Sequence, residues 1–201
     1  AMTPAVNRGY EIADAFKQRG VKVVMGGMHV SKMPEEALKH CDSVVVGEAE
    51  DLWDKLLQDC EKGMLKQIYR HEKGYPSLEN WPATNWDLYR DKRYLPFHSI
   101  ETTRGCPHNC EFCSVTSSFG GKFRNRPVDE VEKEIQNLKP FEGRFMLKNV
   151  VFFADDNIIS SRRHAKELLE RIIPYNLKWL GQASVNIAKD DEILALCRKS
   201  G

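Results

Sequence analysis

No apolar run in this sequence approaches the roughly 18–20 residues that a membrane-crossing helix needs. No basic, apolar and small-residue leader opens it either; Ala1-Met2 reads as a tag remnant ahead of a start methionine. Excess charge is missing as well: 30 basic against 29 acidic residues leave a net charge of +1. That balance gives no electrostatic reason to expect a nucleic acid or an acidic membrane surface as partner. A disulfide scaffold is equally unsupported, because such frameworks belong to small secreted domains that lack a core. With 41% hydrophobic residues over 201 positions, this chain has core enough for one domain or for parts of two. Reduced thiols in a cytoplasmic compartment are the expectation.

Helix and strand signals alternate along the first third. Thr3-Pro4 opens a helix with Ala5, Ile12, Ala13 and Phe16 expected on its apolar face, ended by Gly20. A strand over Val21–Met25 stops at Gly26-Gly27, a short helix follows over Glu35–His40, and a second strand, Ser43–Val46, runs into Gly47-Glu48. The next helix spans about Glu50–Cys60 with Leu52, Trp53, Leu56 and Leu57 inward, and Gln67–Arg70 reads as a third strand. Such alternation with short connections predicts a parallel sheet covered by helices, an α/β unit over residues 1–70.

Residues 71–96 read as a linker. Pro76, Pro82 and Pro96 break any periodicity, while Trp81, Trp86, Leu88 and Tyr89 suggest a segment packed along a domain surface. Alternation resumes over 97–201. Strands are expected at Phe97–Thr102, Asn149–Phe153 and Leu177–Ala183. Between and after them, helices start at Pro127 with Val128, Val131, Ile135 and Leu138 inward, at Ser160 or Ser161 with Ala165, Leu168, Leu169, Ile172 and Ile173 inward, and at Asp190. Three βα units with exposed sheet edges suggest a piece of a longer protein.

Of the six cysteines, Cys41, Cys60 and Cys197 are scattered, whereas Cys106, Cys110 and Cys113 stand in one short loop with C-x3-C-x2-C spacing. Three thiolates there can hold three irons of a cubane cluster and leave the fourth open. Structural zinc, with His108 or a distant residue completing the site, is the alternative, although such sites pair cysteines in two separated couples. A plain electron carrier would need a fourth cysteine; Cys197 is the sole downstream one, and on its helix face a buried thiol is expected.

Arg104-Gly105-Cys106, Cys110 and Phe112-Cys113, after a strand and before βα repeats, resemble the radical S-adenosylmethionine (radical SAM) enzymes. The resemblance implies that Cys106, Cys110 and Cys113 ligate a 4Fe–4S cluster whose open iron chelates S-adenosylmethionine. Reductive cleavage to a 5′-deoxyadenosyl radical follows, with an electron donor such as flavodoxin or ferredoxin. It further implies Phe112 against the adenine, and Asp155 or Asp156 at the methionine ammonium, where the family often has a Gly-Gly-Glu-like segment. Gln182, Ser184 and Asn186 are candidates for ribose or carboxylate contacts. Lys122, Arg124 and Arg126 are read as solvated loop charges, with offsetting of cluster charge as the alternative.

Gly26-Gly27-Met28-His29, Pro34-Glu35-Glu36-Ala37 and Val44–Glu50 resemble the second half of a cobalamin-binding, Rossmann-like domain. The implied cobalamin contacts are Gly26, Gly27, Gly47 and Glu48, at carboxyl ends of strands, with His29 expected to be a turn residue. Together the two resemblances imply the later part of a Rossmann-like domain followed by the first three units of a (β/α)6 partial barrel. The implied activity is cobalamin-dependent methyl transfer or related radical chemistry on a small-molecule substrate; an electron-transfer or structural metal module is the alternative.

Overall fold

The structure is a computed structural model and describes residues 1–89, 97–138 and 150–201. The expected break at Pro96 and the expected strand start at Asn149 lie outside the described residues. The fold is α/β, and the chain divides into two units, Ala1–Pro76 and Ser77–Gly201.

In the first unit, β1 (Val24–Met25), β2 (Ser43–Val46) and β3 (Ile68–Arg70) form a parallel sheet in that order. The central strand shows why the sheet is covered on both faces. Val44 packs with Val6, Tyr10, Val30, Ala37 and Cys41, whereas its neighbour Val45 packs with Leu56 and Tyr69. Successive strand residues point to opposite faces, so α1 (Val6–Lys17), α2 (Met28–Lys32) and α3 (Pro34–Ala37) cover one side and α4 (Trp53–Glu61) the other.

Two helix phases differ from expectation. The stripe of α1 runs Val6, Tyr10, Ala13, and Ile12 and Phe16 lie off it at 45% and 49% exposure. Lys17, next on that stripe, reaches the Cys41 carbonyl at 3.5 Å. In α4 only Leu56 is buried, and Trp53 and Leu57 are exposed. Each of the two helices thus buries only a narrow row of side chains. The Thr3 hydroxyl caps no helix; a short 3-10 turn over Thr3–Ala5 precedes α1.

In the second unit, β4 (His98–Ile100), β7 (Val150–Phe153) and β8 (Lys178–Gly181) form a parallel sheet in the order β4-β7-β8. Ile100, Val151 and Phe153 face one continuous core built with α6 (Val128–Gln136), α7 (Arg162–Ile172) and α8 (Asp191–Ser200). The helical spacing fits this core: Val128, Val131 and Ile135 are buried from α6, and Ala165, Leu168, Leu169 and Ile172 from α7. Ser161 accepts the His164 amide and Asp190 accepts the Ile193 amide, so both helices start at side-chain caps. On the opposite sheet face, Ser99, Phe152 and Leu180 stand side by side in register. Leu180 is 62% exposed there.

Candidate functional site

The cysteine loop leaves the sheet through a small antiparallel ladder. β5 (Thr103–Arg104) pairs with β6 (Arg124–Asn125), and the Arg126 amide adds a bond to the Thr102 carbonyl at 2.9 Å. The loop therefore opens and closes at one place. Gly105 makes the turn with φ +87°, and a side chain there would meet the Lys122 carbonyl oxygen at 2.5 Å; only glycine fits. Beyond it, the Cys113 amide bonds to the Cys110 carbonyl at 3.0 Å, after which the short α5 (Ser114–Phe119) begins.

Cys106, Cys110 and Cys113 are all free thiols, Cys110 exposed and the other two half-buried. Phe112 between them is 93% exposed. The donor set fits an iron–sulfur cluster: three soft sulfurs on one accessible loop, with no second cysteine couple to close a zinc tetrahedron. Among the described residues, however, no three His, Cys, Asp or Glu side chains are gathered closely enough to hold a metal ion. The loop places three thiols close in sequence without drawing their sulfurs to one point. Cys41 and Cys197 are poorer ligands, since burial pushes both up and away from the thiolate form.

Asp155, Asp156 and Asn157, immediately after β7, each hold a different piece of the sheet's carboxyl edge. Asp155 is 1% exposed and accepts three hydrogen bonds, from the Thr102 amide at 2.7 Å, the Thr102 hydroxyl at 2.6 Å and the Thr103 amide at 2.7 Å. Asp156 is half-buried and accepts the Gly105 amide at 3.2 Å. Asn157 accepts the Ser184 amide at 3.1 Å. The tripeptide thus ties the segments after β4 and after β8 to the end of β7. Burial pushes the Asp155 carboxyl up to about 6, against the pull of its Thr102 and Thr103 donors. Burial raises Asp156 too, opposed by the Gly105 amide. At neutral pH Asp155 is a carboxylate, and three N–H and O–H donors are what a buried carboxylate requires.

A second layer of charge surrounds the base of the loop. Arg104 grips Glu101 with Nε at 2.9 Å and Nη2 at 2.8 Å, a bidentate pair. Its guanidinium also lies over the Trp81 ring, 4.5 Å from the centroid; such stacking contributes about 0.5–2 kcal/mol. Arg126 and Glu134 form a buried pair at 2.8 Å, with side chains 4% exposed on both sides. Arg126 also donates to the Glu101 carbonyl at 2.8 Å. Its charge is thus buried and engaged with protein partners, not the solvated loop charge expected from the sequence. Lys122 is exposed. Gln182 and Asn186 are exposed and Ser184 half-buried; the Gln182 carbonyl accepts the Ile158 amide at 3.0 Å.

In the first unit, Gly27 and Gly47 turn the chain after β1 and β2 with φ +96° and +86°. Ser31, on α2, joins them: its hydroxyl donates to the Gly27 carbonyl and accepts the Gly47 amide, both at 2.9 Å. Sequence reasoning missed Ser31, since a serine in a five-residue helix carries no spacing signal. A side chain at Gly47 would meet nothing within 4 Å, whereas at Gly26 it would touch Val45. Glu48 is buried. His29 sits between the Thr3 hydroxyl at 3.2 Å and Glu36 at 3.3 Å, so its ring serves a local network.

Residues 100–201 match the model of the radical SAM superfamily. The chain is 32% identical over 196 residues to bacteriochlorophyllide d C-12(1)-methyltransferase of Chlorobaculum tepidum, covering 96% of this chain and 42% of that protein. It is similar in fold, at 19% identity and a TM-score of 0.66, to the radical S-adenosylmethionine methyltransferase TsrM of Kitasatospora setae, solved with cobalamin and a [4Fe-4S] cluster. That superposition covers 98% of this chain and 44% of the other. The cobalamin-dependent radical enzyme OxsB, solved with aqua-cobalamin and S-adenosylmethionine, superposes with a TM-score of 0.72 at 17% identity, over 98% of this chain and 33% of the other. The chain belongs to the radical SAM superfamily. It spans less than half the length of these relatives. No described helix is long and apolar enough to cross a membrane.

Proposed function

We propose that this chain carries the cluster-binding part of a cobalamin-dependent radical SAM methyltransferase acting on a small-molecule substrate. The observation that carries the reading is the free-thiol loop of Cys106, Cys110 and Cys113 at the carboxyl edge of a parallel sheet, with carboxylates tying its entry to the next strand. The methyltransferase relative and the two cobalamin-containing structures support the class. On this reading the second unit is the first three units of a partial (β/α)6 barrel. Ser99, Phe152 and Leu180, the row opposite the helix-covered core, then face its interior. The first unit is the later part of a Rossmann-like cobalamin domain, with Gly26, Gly27, Gly47 and Glu48 near the cofactor.

When bound, a [4Fe–4S] cluster supplies one electron to S-adenosylmethionine, drawn in turn from a donor such as flavodoxin or ferredoxin. The chain's residues do the rest by position. Cys106, Cys110 and Cys113 as thiolates hold the cluster, and loading draws their sulfurs together because metal binding and local ordering are coupled. Phe112, exposed between two ligands, offers an apolar face to the adenine. Asp156 keeps a half-exposed carboxylate and is the acceptor for the methionine ammonium. Asp155 spends its oxygens on Thr102 and Thr103 and acts by fixing the loop's entry. Gln182 and Ser184 border the same edge after β8 and serve ribose or carboxylate contacts. Gly47, with open space where a side chain would be, lets a large ligand approach the backbone.

The test is anaerobic reconstitution with iron and sulfide, followed by electron paramagnetic resonance of the reduced chain. Addition of S-adenosylmethionine should change the signal in the wild type and leave it unchanged in Asp156→Asn. One tightly bound zinc with no iron uptake is the result expected of a structural metal module instead.

A further inference from the structure

Trp81 lies upstream of the cysteine loop, in a stretch whose prolines disguise it as a linker. Residues 77–89 in fact belong to the second unit. We propose that Trp81 is a positioning residue for the cysteine loop: its indole ring fixes Arg104, and through Arg104 the turn that delivers Cys106. The inference rests on the reading of that loop as the cluster site.

Arg104 is the last residue of β5, and Gly105 turns the chain sharply after it. Its side chain is therefore the final anchored one before the first cysteine. Among the described residues it is held by the Glu101 carboxylate in the guanidinium plane, by Trp81 at 4.5 Å from the ring centroid and by Phe119 of α5 at 5.9 Å. Trp81 comes from before the loop and Phe119 from after it, so Arg104 joins the two flanks of the cysteines. A guanidinium suits this place as an ammonium would not, because it accepts an in-plane carboxylate and an aromatic face together. Only 11% of the Arg104 side chain is exposed.

Trp81 makes a firm platform because its own segment is pinned to α6 on both sides. The Asn80 amide donates to Glu130 at 2.8 Å and the Thr84 hydroxyl to Glu134 at 2.8 Å. Within the segment, the indole N–H reaches the Ser77 carbonyl at 3.3 Å, and Leu78 is 2% exposed. Glu134 in turn holds Arg126, whose guanidinium lies 5.6 Å from the same indole. A loose surface cover would need none of these anchors.

The experiment is amide hydrogen exchange on the 201-residue chain, comparing the loop with α8 as an internal control. Trp81→Leu should speed exchange of the hydrogen-bonded Gly105 and Cys113 amides by about tenfold or more while α8 changes by less than about twofold. Trp81→Phe, which keeps an aromatic face, should stay within about threefold of wild type, and Arg104→Lys should reproduce the Trp81→Leu pattern. After anaerobic loading with ferrous iron and sulfide, Trp81→Leu should retain less than about a third of the wild-type iron and shift the resonance of the reduced cluster. Loop exchange and cluster resonance both matching wild type in Trp81→Leu would overturn the inference. So would acceleration spread equally through α8, which assigns Trp81 to general stability alone. If wild type takes up no iron, the cluster reading falls, and the exchange comparison still decides whether Trp81 positions the loop.

Discussion

The two parallel sheets finish their carboxyl edges in different materials. In the first unit the strands β1 and β2 end in glycines at positive φ, joined by one serine hydroxyl, with open space above Gly47. In the second, the segment after β4 is gripped by two aspartates from the end of β7, and Arg104, Glu101 and Trp81 add a further layer. Glycine edges leave room at the backbone and need little to hold them. A carboxylate edge does the reverse: it fills the space beside the backbone and fixes where the chain goes next. The first arrangement suits a large ligand that brings its own shape, the second a protein loop that has to present three sulfurs.

Breaking the carboxylate edge should have the largest effect. Asp155→Ala leaves the buried amides of Thr102 and Thr103 without an acceptor, and should cost about 3–5 kcal/mol in urea unfolding of the second unit. A cost below about 1 kcal/mol would mean that water or a neighbour satisfies those donors. The same carboxylate should betray itself by pH. Its folded value of about 6 exceeds the ordinary 3.8, so the native state holds the proton more readily than the unfolded chain. Asp155's own contribution to stability therefore falls as pH rises from about 4 to about 6, and is constant above that window. Carbon-13 titration of the carboxyl should show a midpoint near 6; a midpoint below 4 would mean that the donors outweigh burial.

The glycine edge should yield less. Ser31→Ala removes both the bond to the Gly27 carbonyl and the acceptor of the Gly47 amide, yet water reaches these groups, so about 0.5–1.5 kcal/mol is expected from denaturant midpoints. Gly47→Ala meets no atom and pays only for positive φ, about 1 kcal/mol. It should nevertheless weaken cobalamin capture more than Ser31→Ala does, because the added methyl stands where the backbone is otherwise open. Equal cobalamin retention by Gly47→Ala and wild type would remove Gly47 from the proposed contact.

Much of this was legible in the sequence, for reasons that differ from element to element. Ser43–Val46 is a strand because four consecutive residues are small or β-branched and both faces are covered. Residues 128–135 and 165–172 announce their helices because one buried stripe serves one sheet face. The phase of α1 differs from expectation because Ile12 and Phe16 look apolar while the row that is buried is Val6, Tyr10 and Ala13. In the site, the cysteine spacing is local and hence visible. The division of labour among Asp155, Asp156 and Asn157 is not, since it depends on three partners brought from after β4 and β8. Trp81 was only partly legible: the aromatics of residues 71–96 suggest surface packing, but they follow no periodicity, and the partner Arg104 is distant in sequence.

The central claim is that Cys106, Cys110 and Cys113 form the metal site of this chain and the other cysteines do not. Anaerobic reconstitution of single Cys→Ala variants, read as bound iron and sulfide after desalting, tests it most directly. Wild type should bind roughly four of each per chain, as should the Cys41→Ala, Cys60→Ala and Cys197→Ala variants. Alanine at Cys106, Cys110 or Cys113 should remove most of that iron. Full iron binding by any of these three variants, or loss of iron in Cys41→Ala, Cys60→Ala or Cys197→Ala, would contradict the account.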